Sequence, residues 1–184
     1  MNRVGAGPVK SSSSVTVSLS DMAVGLEVPE LFFPIAGIRL ASHAAGIKAD
    51  GSPDLVLLTL PEGCETAAVF TRNAFCAAPV MVAREHLARG SVRALLINSG
   101  NANAGTGAEG LENCRKSCDA AGSAMGVEAT QVLPFSTGVI SQQLPMEKLL
   151  SGIGNIPDSL SEQHWLEAAR GIMTTDTLPK RVSR

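Results

Sequence analysis

Apolar residues in this chain fall into short runs broken by glycine and proline. Residues 94–97, Ala-Leu-Leu-Ile, read as a buried strand. That strand passes straight into Asn98-Ser99-Gly100-Asn101-Ala102-Asn103-Ala104-Gly105-Thr106-Gly107. Residues 55–60 are a second β-prone apolar run, preceded by the turn Asp50-Gly51-Ser52-Pro53 and ended by Pro61-Glu62-Gly63. Strand character also marks 35–42 and 67–71, and 92–97 is the strand ahead of the glycine segment. Residues 81–89 read as a short helix closed by Gly90. In 107–126, Leu111, Cys114, Cys118, Ala121 and Met125 recur at three- and four-residue spacing, which predicts a helix with a core-facing stripe. Residues 132–135 form a short strand leading into Ser136-Thr137-Gly138-Val139, and helices follow over 146–153 and 160–171. Strands early and helices late predict an α/β layered domain.

Composition narrows the function classes. The 184 residues fit one domain or a large part of one, with 1–21 expected as a flexible leader and 22–184 as the folded part. Aromatic residues are only 3%, with no Tyr, so the core must be built from Ala, Val, Leu and Ile. The net charge is −2 with scattered Lys and Arg, which argues against a nucleic-acid partner. No apolar run reaches the roughly 20 residues of a membrane span. Cys64, Cys76, Cys114 and Cys118 lack zinc-knuckle or redox spacing, and His43, His86 and His164 stand far from any cysteine pair. No metal site is expected, and buried free thiols in a reducing cytoplasm are.

Three small polar segments are candidates for chemistry: 98–107, 136–138, and Thr174-Thr175-Asp176-Thr177. Glycine permits close backbone approach, and Asn, Ser and Thr add short hydrogen-bonding arms. Thr137-Gly138 after a strand fits either a capped turn or an oxyanion hole made of a hydroxyl and an open amide. Thr174 to Lys180 fits either a helix end passing into a loop or a polar rim for a small zwitterion. Asn101 and Thr175 are further candidates for the lining.

Read in order, Ala44-Ala45-Gly46-Ile47-Lys48, Ala68-Val69-Phe70-Thr71-Arg72-Asn73, 98–107, Ser136-Thr137-Gly138-Val139-Ile140 with Leu144-Pro145-Met146, and 174–177 with Pro179-Lys180 form one series. The series resembles the ornithine acetyltransferase (glutamate N-acetyltransferase) family of arginine biosynthesis, over about residues 34–180. The resemblance implies a layered α/β sandwich of the self-processing, N-terminal-nucleophile-like type, completed by a second chain. It implies an α chain that works with the β chain of the same precursor, whose N-terminal threonine is the nucleophile and lies outside this sequence. It assigns Thr137 and Gly138 to the oxyanion hole and Thr174 to substrate binding. The substrates implied are N-acetylornithine and glutamate, with acetyl-CoA a further donor in some members. No cofactor is implied, and the assembly expected is α2β2 or larger. Two other readings stay open: an N-terminal-nucleophile amidohydrolase or aminopeptidase, and a non-catalytic α-like assembly partner. One departure is Ser141-Gln142-Gln143, where the family often has a glycine.

Overall fold

A computed structural model of the protein describes residues 32–183. The leader expected over 1–21 lies outside the described residues. Four strands, β1 (Arg39–His43), β2 (Leu55–Thr59), β3 (Ala94–Asn101) and β4 (Val132–Val139), form one mixed sheet in the order β1-β2-β3-β4. The first two pairings are antiparallel, and β3 with β4 is parallel. A parallel pair needs a crossover, and here α2 (Gly107–Met125) supplies it between β3 and β4. The remaining helices are α1 (Ala78–Leu87), α3 (Met146–Asn155) and α4 (Trp165–Gly171).

The alternation of side chains along β2 decides the layers. Leu55 and Leu57 point to the face packed by α1, α2 and α3, where they meet Val82, Cys114, Cys118, Ala121, Leu149 and Ile153. Val56 and Leu58 point to the opposite face, against Ala168 and Trp165 of α4. A strand buried on both sides reads as a continuous apolar run, which is why 55–60 contains no polar alternation. The cysteine stripe of α2 is core, as its spacing predicts: Cys114 and Cys118 are both buried. A hydrogen bond with Cys114, then burial, pushes the Cys118 thiol far up, so it is no nucleophile. Gly126, at φ 67°, ends α2 in the left-handed conformation that favours glycine.

Several elements differ from expectation. The strand expected over 67–71 does not form; Val69 is 99% exposed, and the segment runs irregularly past the β4 edge. It is held by Arg84, which donates to the Thr71 carbonyl (3.0 Å) and stacks over the Phe70 ring. The first strand begins at Arg39 rather than 35, because Gly37 at φ 81° makes a turn closed by Ile38 N–H to the Ile35 carbonyl. The last helix begins at Trp165 rather than 160. Leu40 and Ser161 exchange backbone hydrogen bonds of 2.9 and 3.0 Å, which holds the chain extended there. The order of elements is therefore mixed, with α1 and α2 placed between strands rather than after them. Among the described residues no helix is long and apolar enough to cross a membrane.

Replacing Leu57, fully buried between the helices and the sheet, by alanine is expected to cost about 2–5 kcal/mol. Urea denaturation of the assembled protein checks this; an unchanged midpoint would remove β2 from the core.

Candidate active site

β3 and β4 run side by side and end together, which brings the polar segments that follow them into one place. In register, Asn98 faces Ser136, Ser99 faces Thr137, and Gly100 faces Gly138. Beyond this the ladder breaks: Asn101 stands opposite both Thr137 and Val139, a bulge of the kind that re-aims groups beside active sites. Thr137 and Gly138 are thus strand residues and do not form the capped turn that their composition also allowed.

Gly138 is required where it stands. Its φ is 133°, and a Cβ there would lie 2.6 Å from the Asn101 nitrogen. Gly100, at φ 97°, is confined less tightly and by side chains: a Cβ would lie 3.0 Å from Lys48 Cγ and 3.2 Å from Ile47 Cγ2. The two glycines form a floor of bare main chain.

Above this floor opens a cleft of about 790 Å³. Thr137, Gly138, Thr174 and Thr175 line it, joined by Lys48, Gly100 and Gln142. Four of the residues singled out in the sequence therefore meet, although 36 positions separate Gly138 from Thr174. Asn101 does not join them. It is buried beneath the cleft, where its side-chain amide donates to the carbonyls of Gln142 and Gln143, both at 3.1 Å, and its Oδ1 accepts from Asn103 N–H at 2.8 Å. Its amide is consumed in holding the 141–143 loop, which carries Gln142 into the lining.

Ser99 ties the two walls together. Its N–H donates to the Asp54 carbonyl (2.8 Å), and its hydroxyl donates to the Gly171 carbonyl (2.5 Å) at the end of α4. The chain leaving α4 reaches Thr174 and Thr175 three residues later. Asp176, on the same segment, pairs with Lys180 Nζ at 2.5 Å. That hydrogen bond, then the lysine charge, holds the Asp176 carboxyl below the usual carboxylate range.

Sequence reasoning missed Asp54. It is fully buried just ahead of β2, and its carboxylate accepts backbone N–H groups of Ala45 (2.7 Å), Ile47 (2.6 Å) and Lys48 (2.9 Å). A carboxylate placed between a turn and the apolar start of a strand was the available signal. Lys48 lies in the quoted series but received no role there. Its Nζ donates to the Pro53 carbonyl at 2.8 Å. Burial lowers its pKa from the ordinary lysine value, against the opposing pull of Asp54 and Asp50.

Among the described residues no three His, Cys, Asp or Glu side chains gather as a metal-binding set. A second cavity, of about 610 Å³, lies on the α4 face between Val56, Leu58, Ile97 and Trp165. It is apolar, and it touches the first only through Thr137.

Comparisons with known proteins converge on one family. Residues 39–184 match the model of the ArgJ family. The chain is 56% identical over 151 residues to the arginine biosynthesis bifunctional protein ArgJ of Methylococcus capsulatus, covering 82% of this chain and 37% of that protein. The chain thus spans well under half the length of the curated relatives it matches. The crystal structure of ornithine acetyltransferase from Mycobacterium tuberculosis, complexed with ornithine, superposes with a TM-score of 0.74 at 40% identity, covering 78% of each chain. The ArgJ structure from Bacillus halodurans gives 0.73 at 30% identity, covering 78% of this chain and 75% of that one. Those likenesses agree with the mixed sheet and helical layers described above, and the chain belongs to the ArgJ family of arginine biosynthesis.

Proposed function

We propose that this chain is the α part of a two-chain acetyltransferase that moves the acetyl group of N-acetylornithine to glutamate. One observation carries the reading: a single cleft gathers Thr137, Gly138, Thr174 and Thr175 at the ends of two parallel strands. The similarity to an ornithine acetyltransferase crystallised with ornithine supports the same substrate class.

In this reading the nucleophile is the N-terminal threonine of the β chain of the same precursor, with its own amine as base. Its hydroxyl attacks the acetyl carbonyl, and the carbonyl oxygen becomes an oxyanion. The Thr137 hydroxyl and the Gly138 N–H donate to that oxygen, in a site already shaped before the charge appears. The C–N bond then breaks, ornithine leaves with a proton on its nitrogen, and the acetyl group remains as an ester on the threonine. The amine of glutamate attacks that ester and carries the acetyl group away. Thr174 holds substrate at the rim, and Thr175 extends that rim. No cofactor takes part; acetyl-CoA is a second donor only if the completed cleft admits it. The working assembly is α2β2 or larger in the cytoplasm, where free thiols persist.

The two-chain protein incubated with N-acetylornithine is expected to gain the mass of one acetyl group on the second chain, and to lose it when glutamate is added. A protein that never becomes acetylated overturns the proposal. Loss of the acetyl group to water at the same rate without glutamate marks an amidohydrolase instead.

A further inference from the structure

The cleft has one feature that oxyanion stabilisation does not use. Two of its lining side chains are charged, Lys48 and Asp50, and both belong to the loop between β1 and β2. Long charged side chains on a surface loop ordinarily wander. Here the loop is fixed from below. The buried Asp54 carboxylate takes three backbone donors, from Ala45, Ile47 and Lys48, all within 2.9 Å. Lys148 of α3 reaches across to donate to the Gly46 carbonyl at 2.8 Å. The backbone of Asp54 is itself locked into the sheet, donating to the His43 carbonyl (3.0 Å) and accepting from Ser99 N–H (2.8 Å).

The position of Lys48 follows from this. Its stem lies against Gly100, so closely that a methyl group there would lie 3.0 Å from its Cγ. Gly100 pairs with Gly138 across the ladder, so the lysine stands beside the floor of the cleft. One of its three donors goes to the Pro53 carbonyl, which tethers the ammonium without neutralising it. Asp50 stands next to it and is steadied by the Ser52 N–H (2.9 Å) and hydroxyl (2.7 Å). A cation and an anion side by side at the rim match an amino-acid zwitterion better than a plain anion, which Asp50 would repel, or a plain amine, which Lys48 would repel.

We infer that Lys48 takes the carboxylate of the amino-acid substrate in this cleft, and that buried Asp54 is the positioning residue that holds Lys48 there. The inference deepens the acetyl-transfer reading and rests on its cleft.

The test compares two ligands in the assembled two-chain protein by calorimetry. L-Ornithine and 1,4-diaminobutane carry the same two amines, and only ornithine has a carboxylate. Wild-type protein is expected to prefer ornithine about 10- to 100-fold, the range of a charge-assisted contact. In Lys48→Met the ornithine affinity should fall while the diamine's holds or rises, since the repelling ammonium is gone, so that the preference disappears. Lys48→Arg should keep most of the preference. Asp54→Asn should lose preference in the same one-sided way, whereas a merely structural role would lower the affinity for both ligands. The inference is overturned if wild type shows no preference, if Lys48→Met retains it, or if Lys48→Met weakens both ligands equally. Because Lys48→Met leaves the Asp54 carboxylate and its backbone donors in place, that variant decides the matter even if Asp54→Asn fails to fold. Failure of the acetyl-transfer reading is seen separately, as wild-type protein that binds ornithine but never gains an acetyl group.

Discussion

Thr137→Val is expected to slow formation of the acetyl-enzyme about 10²- to 10³-fold, with little change in the affinity for N-acetylornithine. Valine copies the shape of threonine but cannot donate to an oxyanion. Removing one donor from such a site typically costs a rate factor of that order. The ground-state carbonyl gains little from the same donor, so the loss should appear in the saturating rate rather than in KM. Thr137 is half-buried in β4, and an isosteric β-branched residue suits a strand, so melting should be nearly unchanged. Thr137→Ser, which keeps the hydroxyl, should recover most of the rate. Single-turnover acetylation followed by mass spectrometry reads all three proteins. A valine variant that acetylates at the wild-type rate would remove Thr137 from the oxyanion hole.

Gly138→Ala is expected to damage the fold as well as the chemistry. Two costs act together. The backbone conformation at φ 133° is strained for any residue with a Cβ, which costs about 1–3 kcal/mol. The added carbon would also lie 2.6 Å from the Asn101 nitrogen, so β3 and β4 must part at their ends, for about another 1–3 kcal/mol. Gly90→Ala is the control: its φ is also 133°, but nothing lies within 4 Å of the added carbon. It should bear the conformational cost alone. Thermal melting of the assembled protein compares the two. Equal losses would mean that the close approach between the strands is not what fixes glycine at position 138.

Much of this arrangement was legible in the sequence, and the reason is local. The apolar runs at 55–60 and 94–97 are buried in the sheet, so their pattern needs no partner to be read. The stripe through Cys114 and Cys118 is a one-helix pattern, and Gly126 punctuates its end. What escaped depends on contacts distant in the chain. Residues 67–71 have strand propensity, but they pass the β4 edge without pairing to it, and propensity alone does not make a ladder. Ser161 is drawn into an extended bridge by Leu40, 121 positions away, which shortens the front of α4. The same limit applied within the cleft. Thr137 and Gly138 were legible as a hydroxyl and a glycine after a strand, and Thr174 and Thr175 as a cluster of hydroxyls after a helix. Asp54 was not, since an aspartate beside a turn is commonplace until its three backbone partners are known. Asn101 was assigned to the lining because an asparagine in a glycine-rich stretch looks available; its amide is committed to Gln142 and Gln143 instead.

The facing glycines at 100 and 138 also bear on how such a site can change over generations. Its floor is main chain, and main-chain atoms are the same whatever the codon says. A point substitution at 138 cannot tune the floor and can only push the strands apart, and one at 100 presses on the Lys48 and Ile47 side chains. The rim is another matter, because Lys48, Gln142, Thr174 and Thr175 contribute side chains from three separate connections. Divergence in what the cleft accepts is therefore expected at its rim, while the glycine of the close strand approach at 138 is kept or the approach is lost.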